Sequence, residues 1–308
     1  PRSTQSRSSA ASDVIRDRSL RGQPVVLGYY LSGEDRDGIT KGMLPDPALP
    51  LERLRGLPLG ATTWRGYSSN IEALTRAAPA AGFFNSITDE DGVVRSLPLL
   101  AEYQGQYYES LALAMFRTAI GLPEIHPGFV NPTPVGTHDL LQNIVLRQDG
   151  RTLALPVDQQ LATLIPYRGP GDAKGGSFRY ISASDVLDGV LPPGQLKDQL
   201  VLVGSTAPGL LDLRVTPVGR TYPGVETHAN VLSAFLDGKS IVRPDYAAGF
   251  DVLQLLCAGL LLAVALPLLS ASSAVLLSAC VVSALLGLNL WMYIVQGLAL
   301  PLATAVVM

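Results

Sequence analysis

A chain of 308 residues with net charge −3, from 23 Lys and Arg against 26 Asp and Glu, offers no basic surface to nucleic acid and has room for one large domain or two small ones. There are three histidines (His126, His138, His228), too scattered for a metal centre, and the sequence calls for no cofactor. The two cysteines, Cys257 and Cys280, both lie in the apolar C-terminal part, so the polar part can form no disulfide; a bacterial exterior permits this and does not demand it.

In chain order, residues 1–12 are rich in Ser, Arg and Ala and read as a loop or frayed end, with a short helix opening at Asp13-Val14-Ile15-Arg16. Gln23–Tyr30 is a strand signal, with β-branched residues bounded by Pro and polar turns. Residues 32–80 show little periodicity, with one short helix near Ile71–Ala77. Val93–Tyr103 reads as a strand between the turns Asp91-Gly92 and Gln104-Gly105. Leu111, Met115 and Thr118 fall at helical spacing within Glu109–Ile120, and Gly121 and Pro123 stop that helix. Asn143–Arg147 and Arg151–Leu155 flank Asp149-Gly150, a hairpin signal. Leu164–Tyr167 is a further strand, and Ser182 or Ser184 caps a helix through Leu187.

The chain then reaches its most informative stretch, Leu196 to Asn230. Leu200–Val203 is wholly apolar and closed by Gly204, which predicts a strand buried on both faces. A loop of small residues follows, then Pro223-Gly224 and a helical pattern over Val225–Leu236. In α/β folds ligands gather beyond the carboxyl ends of such strands.

Asp251 is the last charged residue, and Val252 to Met308 carries none. A membrane-spanning helix needs about 20 apolar residues. We expect spans over Ala247–Leu269 and Ser272–Ile294 and a third from Leu298 onward. A soluble helical hairpin would show a polar face, and this tail shows none. The chain starts at Pro1 with no signal-peptide pattern and stops at Met308 inside an apolar run, so a fragment of a longer protein is expected.

Several motifs invite chemistry that their details refuse. Asp89-Glu90-Asp91-Gly92 opens like a calcium loop, but the twelfth position is Leu100 where a bidentate Glu is required; Asp35-Arg36-Asp37-Gly38 fails likewise. A tight turn with Arg95 facing a carboxylate is the better reading. Gly204–Gly209 lacks the Lys and Ser/Thr of a nucleotide loop, although its backbone N–H groups could hold an anion. Ser205, Asp212 and His228 follow the order of a hydrolase triad without its Gly-x-Ser-x-Gly elbow. No catalytic residue is assigned. Arg168 and Arg214 could grip a carboxylate or phosphate in two-pronged fashion; pairing with Asp185 or Asp212 is the structural alternative.

The ordered wording Leu200-Val201-Leu202-Val203-Gly204-Ser205-Thr206-Ala207, Asp212, Thr216-Pro217-Val218 and Pro223-Gly224-Val225-Glu226-Thr227-His228-Ala229-Asn230 resembles the CHASE-type extracellular sensors, subtype two. Gly82-Phe83-Phe84-Asn85, Asp89–Arg95 and Ile165–Pro170 match as well, so the resemblance covers most of residues 23–245. It implies a sensor placed outside the bacterial inner membrane, periplasmic or extracellular, in front of an adenylate or guanylate cyclase. A serine/threonine or histidine kinase is the alternative output, and a membrane-anchored periplasmic enzyme the weaker one. The expected fold is α/β, a mixed, largely parallel sheet with flanking helices followed by transmembrane helices. The expected division is a sensor domain over 1–245, truncated at its N-terminus, and membrane helices over 246–308, two complete and the third truncated. The expected ligand contacts are Arg168, Ser205, Thr206, Asp212, Arg214 and His228. The expected partners are the membrane, a small ligand or envelope signal, an output domain in the same chain, and a second copy in a homodimer.

Overall fold

The computed structural model describes residues 18–33, 39–49, 60–129, 141–171, 176–205, 213–244 and 246–300. The chain divides into two compact units, Pro1–Gly238 and Lys239–Met308. The first is mixed α/β, with parallel strands in its sheets and flanking helices.

Strand β1 (Val26–Ser32) organises one side of the first unit. Strands β2 (Thr40–Lys41), β3 (Thr63–Trp64) and β4 (Gly66–Ser68) follow, then helix α1 (Glu72–Ala77) and β5 (Ala80–Phe83). β1 pairs parallel with β5 and antiparallel with β4, and β4 takes β2 in parallel on its other edge. The sheet buries Tyr29, Leu31 and Phe83, with the Tyr29 and Phe83 rings edge to face at 6.5 Å. Beyond Phe83 the side chain of Asn85 takes the place of a neighbouring strand. Its Oδ1 accepts from Leu31 N (2.8 Å) and its Nδ2 donates to Leu31 O (2.7 Å). Gly82 is required where it stands: a Cβ there would lie 2.6 Å from the Leu111 backbone, so β5 runs hard against the start of the next helix.

The strand expected over Val93–Tyr103 is split into β6 (Ser96–Pro98) and β7 (Leu100–Tyr103). The break at Leu99 sends the halves to different partners. β8 (Gln106–Glu109) pairs with β7, which also takes β3 in parallel. Ser110 caps helix α2 (Leu111–Ala119) by accepting from Leu113 N. The meander of β9 (Glu124–Phe129), β10 (Leu141–Gln148) and β11 (Arg151–Pro156) contains the expected Asp149-Gly150 hairpin. β12 (Ala162–Leu164) returns to pair with β6.

Helix α3 (Ala183–Leu187) forms where expected, with Ser182 at its N-cap position, but that side chain makes no capping hydrogen bond, and the helix buries none of its residues. The strand expected over Leu200–Val203 does not form. This run joins no ladder with any described residue; Val203 is 87% exposed, and only Leu202 packs against the core. A strand needs a neighbour for its N–H and C=O groups, and the next strands, β13 (Leu213–Thr216) and β14 (Gly219–Pro223), pair with each other. Helix α4 (Gly224–Leu236) closes the unit, burying Val231, Leu232 and Phe235 against α2, with the Phe116 and Phe235 rings 5.3 Å apart. Each such side chain contributes about 1.5–3 kcal/mol by leaving water.

The second unit contains helix α5 (Ala247–Ala265), extended by a 3₁₀ turn at Leu266–Leu268, and helix α6 (Ala271–Gln296), capped by Ser270. The apolar stretches of 22 and 26 residues are about 33 Å and 39 Å long at the α-helical rise. Both exceed the roughly 30 Å of a bilayer's hydrocarbon core. Their apolar side chains point outward (Leu256, Leu260, Val264, Leu276, Ile294) and the buried ones include two amides, Gln254 and Asn289. That is the reverse of a soluble hairpin and fits lipid as the solvent. The third expected span lies mostly outside the described residues.

Candidate functional site

Helix α4 differs from an ordinary core helix in the polar side chains it buries: Glu226, Thr227, His228 and Asn230. Burying such groups costs free energy unless each finds a partner. Asn230 donates through Nδ2 to Tyr222 Oη and to the Glu226 carbonyl, both at 2.7 Å, and its Oδ1 accepts from Arg168 N at 3.0 Å. Glu226 Oε2 accepts from the Tyr180 hydroxyl at 2.8 Å. The Tyr222 ring meets Tyr167 edge to face at 5.2 Å, and Tyr167 Oη donates to Val94 O at 2.8 Å. The Arg168 guanidinium pairs with Asp237, the residue that ends α4. The Tyr167-Arg168 pair thus ties the turn before β6 to the whole C-terminal half of α4. Burial pushes the Tyr222 hydroxyl up to about 12, so it remains neutral at physiological pH.

His228 points from a different face. It is two residues from Asn230, about 200° around the helix. Its Nε2 lies 3.3 Å from the carbonyl of Phe84. Burial pulls its pKa down to about 4, and the positive charge of Arg214 pushes the same way, against the hydrogen bond to Phe84. The ring is therefore neutral at pH 7. Its Nδ1 is buried without a hydrogen-bond partner among the described residues.

The six expected ligand contacts are not gathered on one face. Arg214, on β13 opposite Tyr222, lies within electrostatic reach of His228. Arg168 joins the Asn230–Asp237 side of α4, and its carboxylate partner is Asp237 where Asp185 or Asp212 was expected. Ser205 is exposed. Its neighbour Gly204 packs so closely on α4 that a Cβ would lie 2.6 Å from Val225 Cβ. Thr206 and Asp212 lie outside the described residues. Sequence reasoning singled out neither Tyr180 and Glu226 nor Tyr222 and Asn230. The signal was the four-residue spacing of Glu226 and Asn230, which sets them one turn apart on the same face.

The Asp89–Arg95 turn is built around its arginine, as the failed calcium match suggested. Arg95 Nη1 reaches Asp89 Oδ2 at 2.6 Å and Asp91 Oδ1 at 2.9 Å, while Nη2 reaches Asp91 Oδ2 at 2.6 Å. Hydrogen bonding to Arg95 lowers the Asp91 pKa to about 2. Beside this turn is a groove of 490 Å³ lined by Ile87, Thr88, Asp89, Glu90, Asp91 and Gln160. A second arginine is partly buried: Arg117 Nη1 binds Glu109 Oε1 at 2.6 Å, and its Nε donates to Pro123 O at 2.9 Å. Burial raises the Glu109 pKa even so.

The family model for the CHASE2 domain matches residues 7–268. The chain belongs to the CHASE2 family. CHASE2 is an extracellular sensor domain, sensory and not catalytic. Comparison with curated proteins and with solved structures returned no match. The CHASE2 match runs past the sensor unit to the end of the first apolar helix. Its segments now have physical roles here. In Gly82–Asn85, Gly82 admits α2, Phe83 fills the core, Phe84 offers its carbonyl to His228, and Asn85 clamps β1.

Proposed function

We propose that this chain is the input region of a bacterial membrane signalling receptor. Residues 1–245 form an extracytoplasmic sensor, periplasmic or extracellular, and residues 246–308 are inner-membrane helices. They carry its state to a cytoplasmic output domain in the same polypeptide. An adenylate or guanylate cyclase is the favoured output and a protein kinase the alternative. The observation that carries the reading is the union, in one CHASE2 chain, of a folded α/β unit with two helices long and apolar enough to cross a membrane. The small ligand or envelope signal is met by Ser205, Thr206, Asp212, Arg214 and His228, with Arg168 acting on the other face of α4. A ligand moves such a device only by binding two states unequally.

The test is cyclic-nucleotide synthesis by membranes of cells making the full-length polypeptide, beside phosphate transfer from ATP to protein. Cyclase activity supports the favoured output, and phosphate transfer alone transfers support to the kinase. Absence of both activities would overturn the receptor reading.

A further inference from the structure

Gln254 of α5 and Asn289 of α6 are amides buried among aliphatic side chains, exposed by only 7% and 3%. Asn289 Nδ2 donates to Gln254 Oε1 at 3.4 Å and to Leu285 O at 2.9 Å. Two groups remain: the donor Gln254 Nε2 and the acceptor Asn289 Oδ1, both sealed from solvent and without hydrogen-bond partners among the described residues. In hydrocarbon neither can turn to water, so each carries its full desolvation cost. The leftovers are complementary, and they belong to two amides that already touch.

We propose that Gln254 and Asn289 close into a reciprocal two-bond amide pair in the bilayer, and that this pair fixes the axial register of α5 against α6. The proposal rests on the membrane reading above. Apolar contacts alone set register weakly, because lipid tails are as apolar as the helices and Leu, Val and Ala faces slide past one another at little cost. A polar pair inside such a seam does not slide, since a shift of one turn, about 5.4 Å, breaks both bonds. A lock of this kind makes α5 and α6 move as one body when the sensor unit acts on them.

The test is cross-linking in the full-length protein in its membrane, with Cys257→Ala and Cys280→Ala removing the native thiols. Leu261 is seven residues after Gln254 and Val282 seven before Asn289, so in an antiparallel hairpin they lie level, two turns from the pair. With cysteines at 261 and 282, one dominant disulfide is expected, and the pair 261 and 286, displaced by a turn, should link several-fold less. Gln254→Leu with Asn289→Leu leaves no orphaned amide and keeps the segment insertable. It should erase that preference, whereas Asn289→Gln should retain it. A membrane-retained double-leucine variant that still links 261 to 282 selectively overturns the lock. So does an Asn289→Gln variant that loses selectivity as fully as the double-leucine one. Release of the native protein by alkaline extraction would instead overturn the membrane reading on which the lock depends.

Discussion

His228 contributes to the pH dependence of the sensor unit. Its folded pKa of about 4 lies below the ordinary imidazole value of 6.5, so between those values the unfolded chain binds a proton that the folded one refuses. Stability from this group is complete above about pH 6.5 and is lost as the pH falls towards 4, by about 3 kcal/mol in all. Glu109 acts in the opposite sense: burial raises its pKa from 4.5, so its share is complete below that value and fades as the pH rises through the folded pKa. We expect His228→Asn to flatten the loss of urea stability of the full chain between pH 6.5 and 4; an unchanged slope would remove His228 from the account. Gly204 offers a second test at this scale. Its need is for space against Val225, and its φ is not in the left-handed region. Gly204→Val should cost about 1–3 kcal/mol by overpacking. The same change in a Val225→Ala background should cost clearly less, and equal costs measured by thermal melting would contradict the close-approach explanation.

At the scale of elements, the legible parts of the sequence were those whose signal is local. The Ser110-capped helix, the Asp149-Gly150 hairpin, the pattern over Val225–Leu236 and the two apolar helices all rest on contacts within a few residues. The Val93–Tyr103 strand was legible as extended chain but not as two pieces, because the break at Leu99 depends on its N–H reaching Leu161 O, far along the sequence. The β13–β14 hairpin was missed for want of a two-residue glycine turn signal between obvious alternating runs. Leu200–Val203 shows the limit of composition: apolar residues on both faces predict burial, yet burial requires a ladder partner that the residues themselves cannot specify. The polar face of α4 was half legible, since its residues were in view and their partners were not.

The segment leaving the sensor unit also behaves differently from an open linker. Val242 N donates to Gly297 O at 2.8 Å and Ala299 N to Val242 O at 2.9 Å, so Val242 is clasped to the end of α6. Pro244 fixes its own φ and restricts Arg243. A displacement of α4 and Asp237 therefore has only a short stretch in which to be absorbed. Inserting a Gly-Ser-rich segment between Lys239 and Ser240, ahead of the clasp, should uncouple output activity from the signal while leaving the sensor unit folded. Regulation that survives several insertion lengths would show that the signal does not pass through this connection.

For the whole molecule, the two units are built for different solvents. In the first, apolar side chains form two buried clusters. In the second, apolar side chains face outward and the amides face inward. This contrast was fully legible in the sequence, because the absence of charge after Asp251 needs no fold to interpret. The orientation was not, because the loops between the apolar helices carry no Lys or Arg to bias it. The central claim, an outside sensor joined to helices that cross the membrane, is tested most directly by topology reporters fused after Asp245 and within the turn at Ser270. The account predicts that the fusion after Asp245 reports the outside and the fusion at Ser270 the cytoplasm. Both fusions reporting one side, or the Asp245 fusion reporting the cytoplasm, would contradict it.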